Sequence, residues 1–459
     1  MPARLTVTMN KSWRQRFAAH KRDALAGFFI FAVTLATFLV SRVHQVGDSH
    51  FTMLLSESLL EHRSFALDNY NLSNVELSGG GGYVKLDKLY QLETVGGRVY
   101  YLFPPGSSIL SLPFVALMKI FGVTPVNPDG SYNRYNEVKI QVALAALLMA
   151  ALASVFFFTA RLVLPAGWSA LVALGGAWGT QVWSTASRAL WSDTWGIFLL
   201  GVVLWMLLAT ASGKHRLRPI LLASLLAWMY FVRPTNSIPI LAITVYVLVF
   251  HRRSFVWYAV TGILWLAAFV AYSWYHFGQV LPNYYQANRL TFDHFGEALA
   301  GNLISPARGL LVYVPVLLFI FYLLARYRKH LTYQRLVLLG LVVITSHWIA
   351  TSGFIHWYGG HGYGPRLMTG VVPWLVLLGI LGLQARLNWR EEQAARKRRT
   401  WRIESALGGT LLLMSMVING LGATSHANWL WNMRPVDVDQ QPSRIWDWRH
   451  PQFLAKWQS

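Results

Sequence analysis

The sequence predicts an all-α polytopic membrane protein with about eleven transmembrane helices, and three observations lead to this fold class. Hydrophobic residues make up 54% of the 459 residues and charged residues only 13%, about half the charged fraction of an ordinary soluble domain. Apolar runs recur along the chain, and they are long enough to cross the hydrocarbon core of a bilayer. The Lys and Arg residues are also distributed unevenly between alternate loops, as in membrane proteins of fixed topology.

The apolar runs define the predicted spans in chain order. They lie at residues 24–41, 138–160, 166–182, 189–210, 217–232, 235–250, 255–276, 308–325, 333–351, 367–386 and 402–421. With a cytoplasmic N-terminus, the inner loops and helix ends hold 23 Lys/Arg and 4 Asp/Glu, whereas the outer side holds 17 and 15. This is the positive-inside pattern. The net charge of +21 therefore reports topology, not a nucleic-acid partner, and places the C-terminus outside.

One apolar segment, residues 104–121, breaks the alternation because it is short and contains Pro113. If it crossed the membrane, the later basic loops would face outward, against the charge bias. We therefore predict a re-entrant or juxtamembrane helix within a large extracytoplasmic first loop, 42–137. The predicted domains are a transmembrane domain, 1–421, and an extracytoplasmic tail, 422–459.

The composition also excludes several chemistries. The chain has no cysteine, which excludes disulfides, thiolate metal sites and a cysteine nucleophile. The outer histidines have no tight ligand spacing, and Asp437-Val-Asp439 is only a short match to a metal-binding Asp-x-Asp pattern. No metal or other cofactor is therefore predicted. The cytoplasmic loops are too short to hold a nucleotide-binding domain.

Two acids at the predicted outer face are candidates for catalysis. Asp48 follows the first span and Asp193 begins the fourth, and a carboxylate near lipid is costly unless it is used or paired. The ordinary alternatives are a solvated loop carboxylate for Asp48 and a helix N-terminal carboxylate for Asp193. Which of the two is the base stays open. Four nearby tryptophans are predicted to form an interfacial belt: Trp178, Trp183, Trp191 and Trp195.

The densest polar cluster is the glycine-rich run from His356 to Arg366, which enters the next span directly after Pro365. Glycines let backbone amides approach a ligand, and an arginine at a helix N-terminus suits a phosphate. A structural turn with a snorkelling arginine is the alternative. The residues predicted to bind the phosphate are Arg366, Arg308, His361, Tyr363 and Arg233. The resemblance given next implies that this phosphate belongs to a sugar donor, and that His50, Glu57, Trp357 and Tyr358 bind the acceptor or the sugar.

These features together resemble the GT-C glycosyltransferases over about residues 24–386. The nearest groups are bacterial relatives of the dolichyl-phosphate-mannose–protein mannosyltransferases and of the lipid A aminoarabinose transferase. Gly47-Asp48-Ser49 matches the acidic position after the first helix, although the Asp-Glu pair of the mannosyltransferases is missing, and Ser192-Asp193 matches the second acid. The runs 305–309 and 357–366 look like segments of bacterial members of unassigned function.

The resemblance implies transfer of a hexose or pentose from a polyprenyl-phosphate donor to a lipid, glycan or protein acceptor. It implies an inverting, metal-independent reaction at the outer face of an integral membrane protein, expected in a bacterial inner membrane. Asp48 or Asp193 would be the base, and the arginines would hold the donor phosphate. The alternative function is a transporter or flippase of an anionic lipid-linked saccharide. The sugar, the acceptor and the oligomeric state stay open.

Overall fold

The computed structural model describes residues 3–72, 74–78, 82–85, 89–392 and 398–457, and it confirms an all-α membrane fold. Within these ranges, seven helices are long and apolar enough to cross a membrane, and four shorter apolar helices accompany them. Each of the eleven predicted spans contains a helix. The eighth span is broken at Pro315 into a four-residue turn and a longer helix.

The first half of the chain contains nine helices in the described ranges. They are α1 (Ala3–Val40), α2 (Thr52–Glu61), α3 (Gly106–Ile120), α4 (Arg134–Arg161), α5 (Ala166–Trp178), α6 (Ser192–Ala211), α7 (Pro219–Val232), α8 (Ser237–Phe250) and α9 (Arg252–Phe277). The second half contributes α10 (Phe295–Ile304), α11 (Leu310–Tyr313), α12 (Val316–Arg326), α13 (Gln334–Ser352), α14 (Val372–Glu392), α15 (Arg398–Thr424) and α16 (His426–Leu430).

The core of the bundle surrounds α4, which packs against α1, α5 and α6. Small residues such as Ala145, Ala146 and Ala150 are fully buried there, and small side chains let membrane helices approach closely. On another side, α14 is enclosed over most of its apolar length and buries Trp374 completely. Both helices are apolar on all sides, as expected for helices inside a bundle rather than at its surface.

Within the described residues, the first outer loop contains two antiparallel pairs of short strands. The strands are β1 (Asn74–Ser78), β2 (Gly82–Lys85), β3 (Leu92–Val95) and β4 (Arg98–Tyr101), paired β1–β2 and β3–β4. Helix α3 corresponds to the predicted re-entrant segment. At 15 residues it is about 22 Å long, shorter than the roughly 30 Å hydrocarbon core, and it packs on α2 of the same loop.

The segment that carries Asp48 is fixed at both ends. Where α1 ends, the buried Arg188 donates to the backbone carbonyl of Ser41 at 2.9 Å and so satisfies a C-terminal carbonyl of the helix. Where α2 begins, Glu137 of α4 accepts the backbone N–H of Met53 at 3.0 Å and of Leu54 at 3.1 Å. These contacts hold residues 41–51 as an ordered connection at the mouth of the bundle.

Candidate active site

The structure pairs Asp48 with Arg366, although 318 residues separate them in the chain. The Arg366 guanidinium donates to Asp48 Oδ2 in an ion pair. The Asp48 side chain is 31% exposed and that of Arg366 is 13% exposed, so the pair lies at a surface opening rather than in the core. A predicted catalytic acid and a predicted phosphate ligand are thus in direct contact.

Two aromatic residues frame this ion pair. The Arg366 guanidinium lies over the Trp191 ring with 3.6 Å between its central carbon and the ring centroid, a cation–π contact. The Tyr90 hydroxyl donates to Asp48 Oδ1 at 3.0 Å. Below the carboxylate, the Tyr101 hydroxyl donates to the Asp48 backbone carbonyl at 2.8 Å. Trp191 therefore orients the arginine, and the tyrosines orient the acid.

The pKa of Asp48 reflects these neighbours. Burial by itself raises the pKa of the carboxyl, but the Arg366 guanidinium, the Tyr90 hydroxyl and Arg233 together hold that pKa below its ordinary value. Asp48 is therefore ionised at physiological pH in this arrangement. Burial and the Asp48 charge raise the pKa of Tyr90, so that its hydroxyl stays a hydrogen-bond donor.

Asp193 and Arg233 form a second ion pair, between the first turn of α6 and the end of α7. The Asp193 side chain is 2% exposed and that of Arg233 is 10% exposed, so this pair is more enclosed than the first. Arg233 is also held by Thr235, whose hydroxyl accepts from Nε at 3.0 Å. The predicted spans 217–232 and 235–250 are separate helices, since α7 ends at Val232 and α8 begins at Ser237.

The two ion pairs belong to one cluster. Trp191, which lies under Arg366, is two residues before Asp193 at the start of α6. Asp193 also attracts Arg366, and Arg233 attracts Asp48. Tyr284 lies within electrostatic range of Asp48 and both arginines. The fold therefore brings two carboxylates and two guanidinium groups within electrostatic range of one another, with the Asp48–Arg366 pair nearer the surface.

The glycine-rich run shapes the approach to Arg366. Gly359, Gly360 and Gly364 have φ angles of +76°, +58° and +60°, in the left-handed region that side chains other than glycine avoid. At Gly364 a Cβ would lie 2.5 Å from the Tyr313 ring. The turn returns the Gly359 carbonyl to Arg366 Nη1 at 3.2 Å, which helps to fix the guanidinium.

Arg308 is not brought to this cluster as a free ligand. Its side chain, 1% exposed, donates to the backbone carbonyls of Tyr358 at 2.7 Å and Gly360 at 3.0 Å. It also donates to the tail residues Gln452 at 2.7 Å and Asn432 at 2.8 Å. Because its donors are engaged within the protein, Arg308 fastens the tail to the glycine-rich run and leaves no fork for a phosphate.

Three aromatic residues predicted to bind substrate are packed inside the protein. Trp357 and Tyr358 belong to a buried cluster with Trp431 of the tail, and the Trp357 ring lies directly over Gly301. The Tyr363 hydroxyl donates to the Ile418 backbone carbonyl at 2.7 Å. Their positions in a glycine-rich run suggested ligand contacts, but the tail and α15 cover them.

His361 lies against two tail carboxylates instead of the Arg366 cluster. Its Nε2 is 2.9 Å from Asp437 Oδ1 and 3.5 Å from Asp439 Oδ2. The three ligand atoms lie within 4.8 Å of one another, close enough to hold a metal ion. This proximity arises across 76 residues, so the sequence spacing that led us to expect no metal does not detect it. Arg444 lies near Asp437 and supplies an alternative positive charge.

His50 and Glu57 also face away from the ion pairs. Burial lowers the pKa of His50 to about 3, so the ring is neutral, and its Nδ1 is 3.2 Å from the Tyr132 hydroxyl. Glu57 pairs with Lys119 at 2.7 Å, and Lys119 also pairs with Glu61 at 2.6 Å. Glu57 therefore joins α2 to α3, and neither residue contacts Asp48 through its side chain.

Sequence reasoning missed Trp191 and Tyr90 as members of the site. Trp191 is only 4% exposed, so its assignment to an interfacial belt was wrong. Its position beside Ser192-Asp193 was a usable signal, but its contact with Arg366 spans 175 residues. Tyr90 lies in an irregular loop before β3, and nothing in the surrounding sequence distinguishes it from other loop tyrosines.

An apolar groove lies between α1, α5 and α15. Its volume is about 520 Å³, and it is lined by Thr37, Trp178, Trp183, Met416, Val417, Gly420, Leu421 and Thr424. Trp183 donates from its ring nitrogen to Ser41 Oγ at 3.0 Å. The groove wall is therefore joined to the segment that leads from α1 to Asp48.

No family model and no curated protein matches this sequence. Among solved structures, the chain is similar to the crystal structure of ArnT from Cupriavidus metallidurans bound to undecaprenyl phosphate. The TM-score is 0.42 and the sequence identity is 14%, and the match covers 95% of this chain and 76% of the other. Similarity at this level does not by itself assign a family or a function to the chain.

Proposed function

We propose that this protein is a GT-C-type glycosyltransferase that moves a sugar from a polyprenyl-phosphate donor to an acceptor hydroxyl at the extracytoplasmic membrane face. The observation that carries the proposal is the cluster of Asp48 and Asp193 with Arg366 and Arg233. A carboxylate is the group needed to accept a proton, and a guanidinium is the group needed to hold a phosphate. The cluster supplies both at one opening.

In the proposed reaction, Asp48 is the base. The acceptor oxygen attacks the anomeric carbon, its proton passes to Asp48, and the bond from that carbon to the phosphate oxygen breaks with its electron pair. Arg366 stabilises the negative charge that develops on the departing polyprenyl phosphate. One displacement on the side opposite the leaving group inverts the anomeric configuration. A phosphate leaves readily, so the proposed mechanism requires no metal.

Asp193 and Arg233 take a supporting part in this proposal. Asp193 is too enclosed to exchange its partner freely, so we assign it a positioning role in which it holds Arg233 at the edge of the cluster. Arg233 pairs with Asp193 and adds positive charge near the phosphate. We assign the apolar groove, whose wall is joined to Ser41 through Trp183, to the isoprenoid part of the donor.

Reconstituted transfer tests the proposal. Proteoliposomes with the purified protein are given polyprenyl-phosphate hexose or pentose donors and an acceptor lipid, and new glycosidic bonds are detected by mass spectrometry. Asp48→Asn is expected to lower transfer by about 100-fold or more, the usual contribution of a general base. Asp68→Asn is the matched control, because Asp68 also pairs with an arginine in the outer loop, but its hydrogen bonds go to Arg98 and the Val99 backbone rather than to the two ion pairs.

The same assay distinguishes the alternative function. A transporter or flippase moves the lipid-linked saccharide between leaflets and leaves its glycosidic bond unchanged. Accessibility of the saccharide to an added glycosidase measures that movement directly. Movement without any new glycosidic bond, across the panel of donors and acceptors, would refute the proposed transferase activity.

A further inference from the structure

Asp48 and Arg366 have separate roles in the proposed function, yet the structure shows them bound to each other. A guanidinium that donates one arm of its fork to a carboxylate cannot offer both arms to a phosphate. A carboxylate that accepts a charged hydrogen bond is a weakened base. In this arrangement, therefore, the site is ready neither to bind the donor phosphate nor to take a proton.

We propose that Asp48 occupies on Arg366 the position that the donor phosphate takes, so that donor binding releases the base. This inference rests on the proposed function and adds an order of events to it. The phosphate displaces the Asp48 carboxylate from Arg366, and the freed carboxylate then accepts the proton of the acceptor hydroxyl. If the acceptor binds before the donor, Asp48 is still paired with Arg366 and does not accept the acceptor's proton.

The geometry favours this exchange because Arg366 is held by groups other than Asp48. Its guanidinium rests on the Trp191 ring at 3.6 Å and donates to the Gly359 carbonyl at 3.2 Å. Its Nε is buried and has no hydrogen-bond partner among the described residues. The guanidinium therefore stays in place when Asp48 leaves, and its Nη2 and Nε then form a two-donor edge for the phosphate.

Asp48 also has a second partner that remains after the exchange. Tyr90 binds the other carboxylate oxygen, Oδ1, at 3.0 Å, so displacement from Arg366 does not leave the carboxylate without a donor. The Asp48 side chain is 31% exposed and has room at the opening to turn. A polyprenyl-phosphoryl sugar is a phosphodiester with one negative charge, so it replaces one carboxylate charge with one phosphate charge.

The Asp193–Arg233 pair shows why only one pair exchanges. Both partners are nearly enclosed, with 2% and 10% of the side chains exposed, and removing charges from water without a partner is costly. The Asp48–Arg366 pair is the more exposed of the two. We therefore assign phosphate exchange to Arg366 and a permanent pair to Arg233.

The test measures binding of farnesyl phosphate to the full-length protein in detergent by isothermal titration at fixed pH and salt. Asp48→Asn removes the competing charge but keeps the shape of the side chain, so it is expected to bind farnesyl phosphate at least about tenfold more tightly than wild type; tenfold corresponds to 1.4 kcal/mol. The same variant is expected to be inactive in transfer. Tighter binding together with lost activity is the distinctive result.

Two variants control for electrostatics that act at a distance. Asp193→Asn removes a charge near Arg366 that is paired with Arg233 instead, so a much smaller gain is expected. Asp68→Asn removes a charge that is paired with Arg98 in the outer loop, so no change is expected. The displacement is refuted if Asp193→Asn tightens farnesyl phosphate binding as much as Asp48→Asn does, or if Asp48→Asn does not tighten it.

A measurement on the wild-type protein applies even if Asp48→Asn does not fold. A hydrophobic carbodiimide reacts with protonated carboxyl groups, and release from Arg366 makes Asp48 easier to protonate. Labelling of Asp48, read by peptide mass spectrometry, is expected to rise severalfold with farnesyl phosphate and not with farnesol. Unchanged or lower labelling at saturating farnesyl phosphate overturns the exchange, whereas failure of wild type to bind any prenyl phosphate overturns the proposed function.

Discussion

The ion pair between Asp193 and Arg233 gives a quantitative prediction for a double-mutant cycle. The variants are Asp193→Asn, Arg233→Met and the double variant. In each single variant one charge loses its partner in a nearly enclosed place, since Asp193 is 2% exposed and Arg233 10% exposed. Breaking a buried pair from one side costs about 3–5 kcal/mol, whereas removing both charges often costs little.

The two single variants are not expected to cost the same. Arg233 has Thr235 and Ser192 as further partners, so it retains two hydrogen bonds when Asp193 becomes Asn. Asp193 is the more enclosed group and is left as a buried carboxylate when Arg233 becomes Met. We therefore expect Arg233→Met near the upper end of that range, Asp193→Asn near the lower end, and the double variant well below their sum.

Reversible unfolding in mixed micelles, followed by tryptophan fluorescence and circular dichroism, measures these free energies. Transfer activity of each variant is measured in parallel. If Asp193 contacts substrate, the double variant regains stability but not activity, whereas a purely structural acid predicts recovery of both. Single-variant costs that simply add in the double variant would refute the reasoning that the two charges stabilise each other.

Four further predictions follow from the same site. In the free protein, Arg366 helps to hold the pKa of Asp48 below its ordinary value. When the donor phosphate takes Arg366, burial raises that pKa. The acid limb of the pH profile of kcat is therefore expected at higher pH than that of kcat/KM. Arg308→Met is expected to expose the tail to trypsin, because each buried acceptor that it leaves without a donor costs about 1–3 kcal/mol. The KM for the donor is not expected to rise. Val417→Trp is expected to raise KM for a long-chain donor more than for a short-chain one, measured with paired donors, because it narrows the apolar groove. EDTA is expected to leave transfer rates unchanged in proteoliposomes, and a loss restored by a divalent ion would instead point to His361, Asp437 and Asp439.

The membrane fold was predictable because its signals are local and repeated. Each apolar run that predicted a span contains a helix, and the short segment with Pro113 is a helix as well. Each signal lies within about 20 residues, the length needed to cross a bilayer. The sequence could not predict that the eighth span breaks at Pro315 or that Glu137 caps the N-terminus of α2.

The candidate site was predictable in part, for a physical reason. Asp48, Asp193, Arg233 and Arg366 stood out because a charge beside lipid is expensive, and the structure indeed pairs all four. The same cost also selected Arg308, whose charge is satisfied by carbonyls and by the tail. Sequence identifies a charge that needs a partner, but it does not show whether the partner is a ligand or the protein itself.

Paired charges differ between the two predicted faces of the membrane. At the predicted cytoplasmic face, Arg386 and Glu404 form a pair whose side chains are 2% and 6% exposed, and Tyr327 donates to both Glu404 oxygens at 2.9 and 2.8 Å. That buried pair joins α14 to α15. At the predicted outer face, the Asp48–Arg366 pair is more exposed, and Arg366 retains an unpartnered donor among the described residues. A carrier that presents its cargo to each side in turn needs a charged site that is accessible from either face. A transferase that works on one leaflet needs an exchangeable pair at that leaflet only. The described residues fit the second requirement.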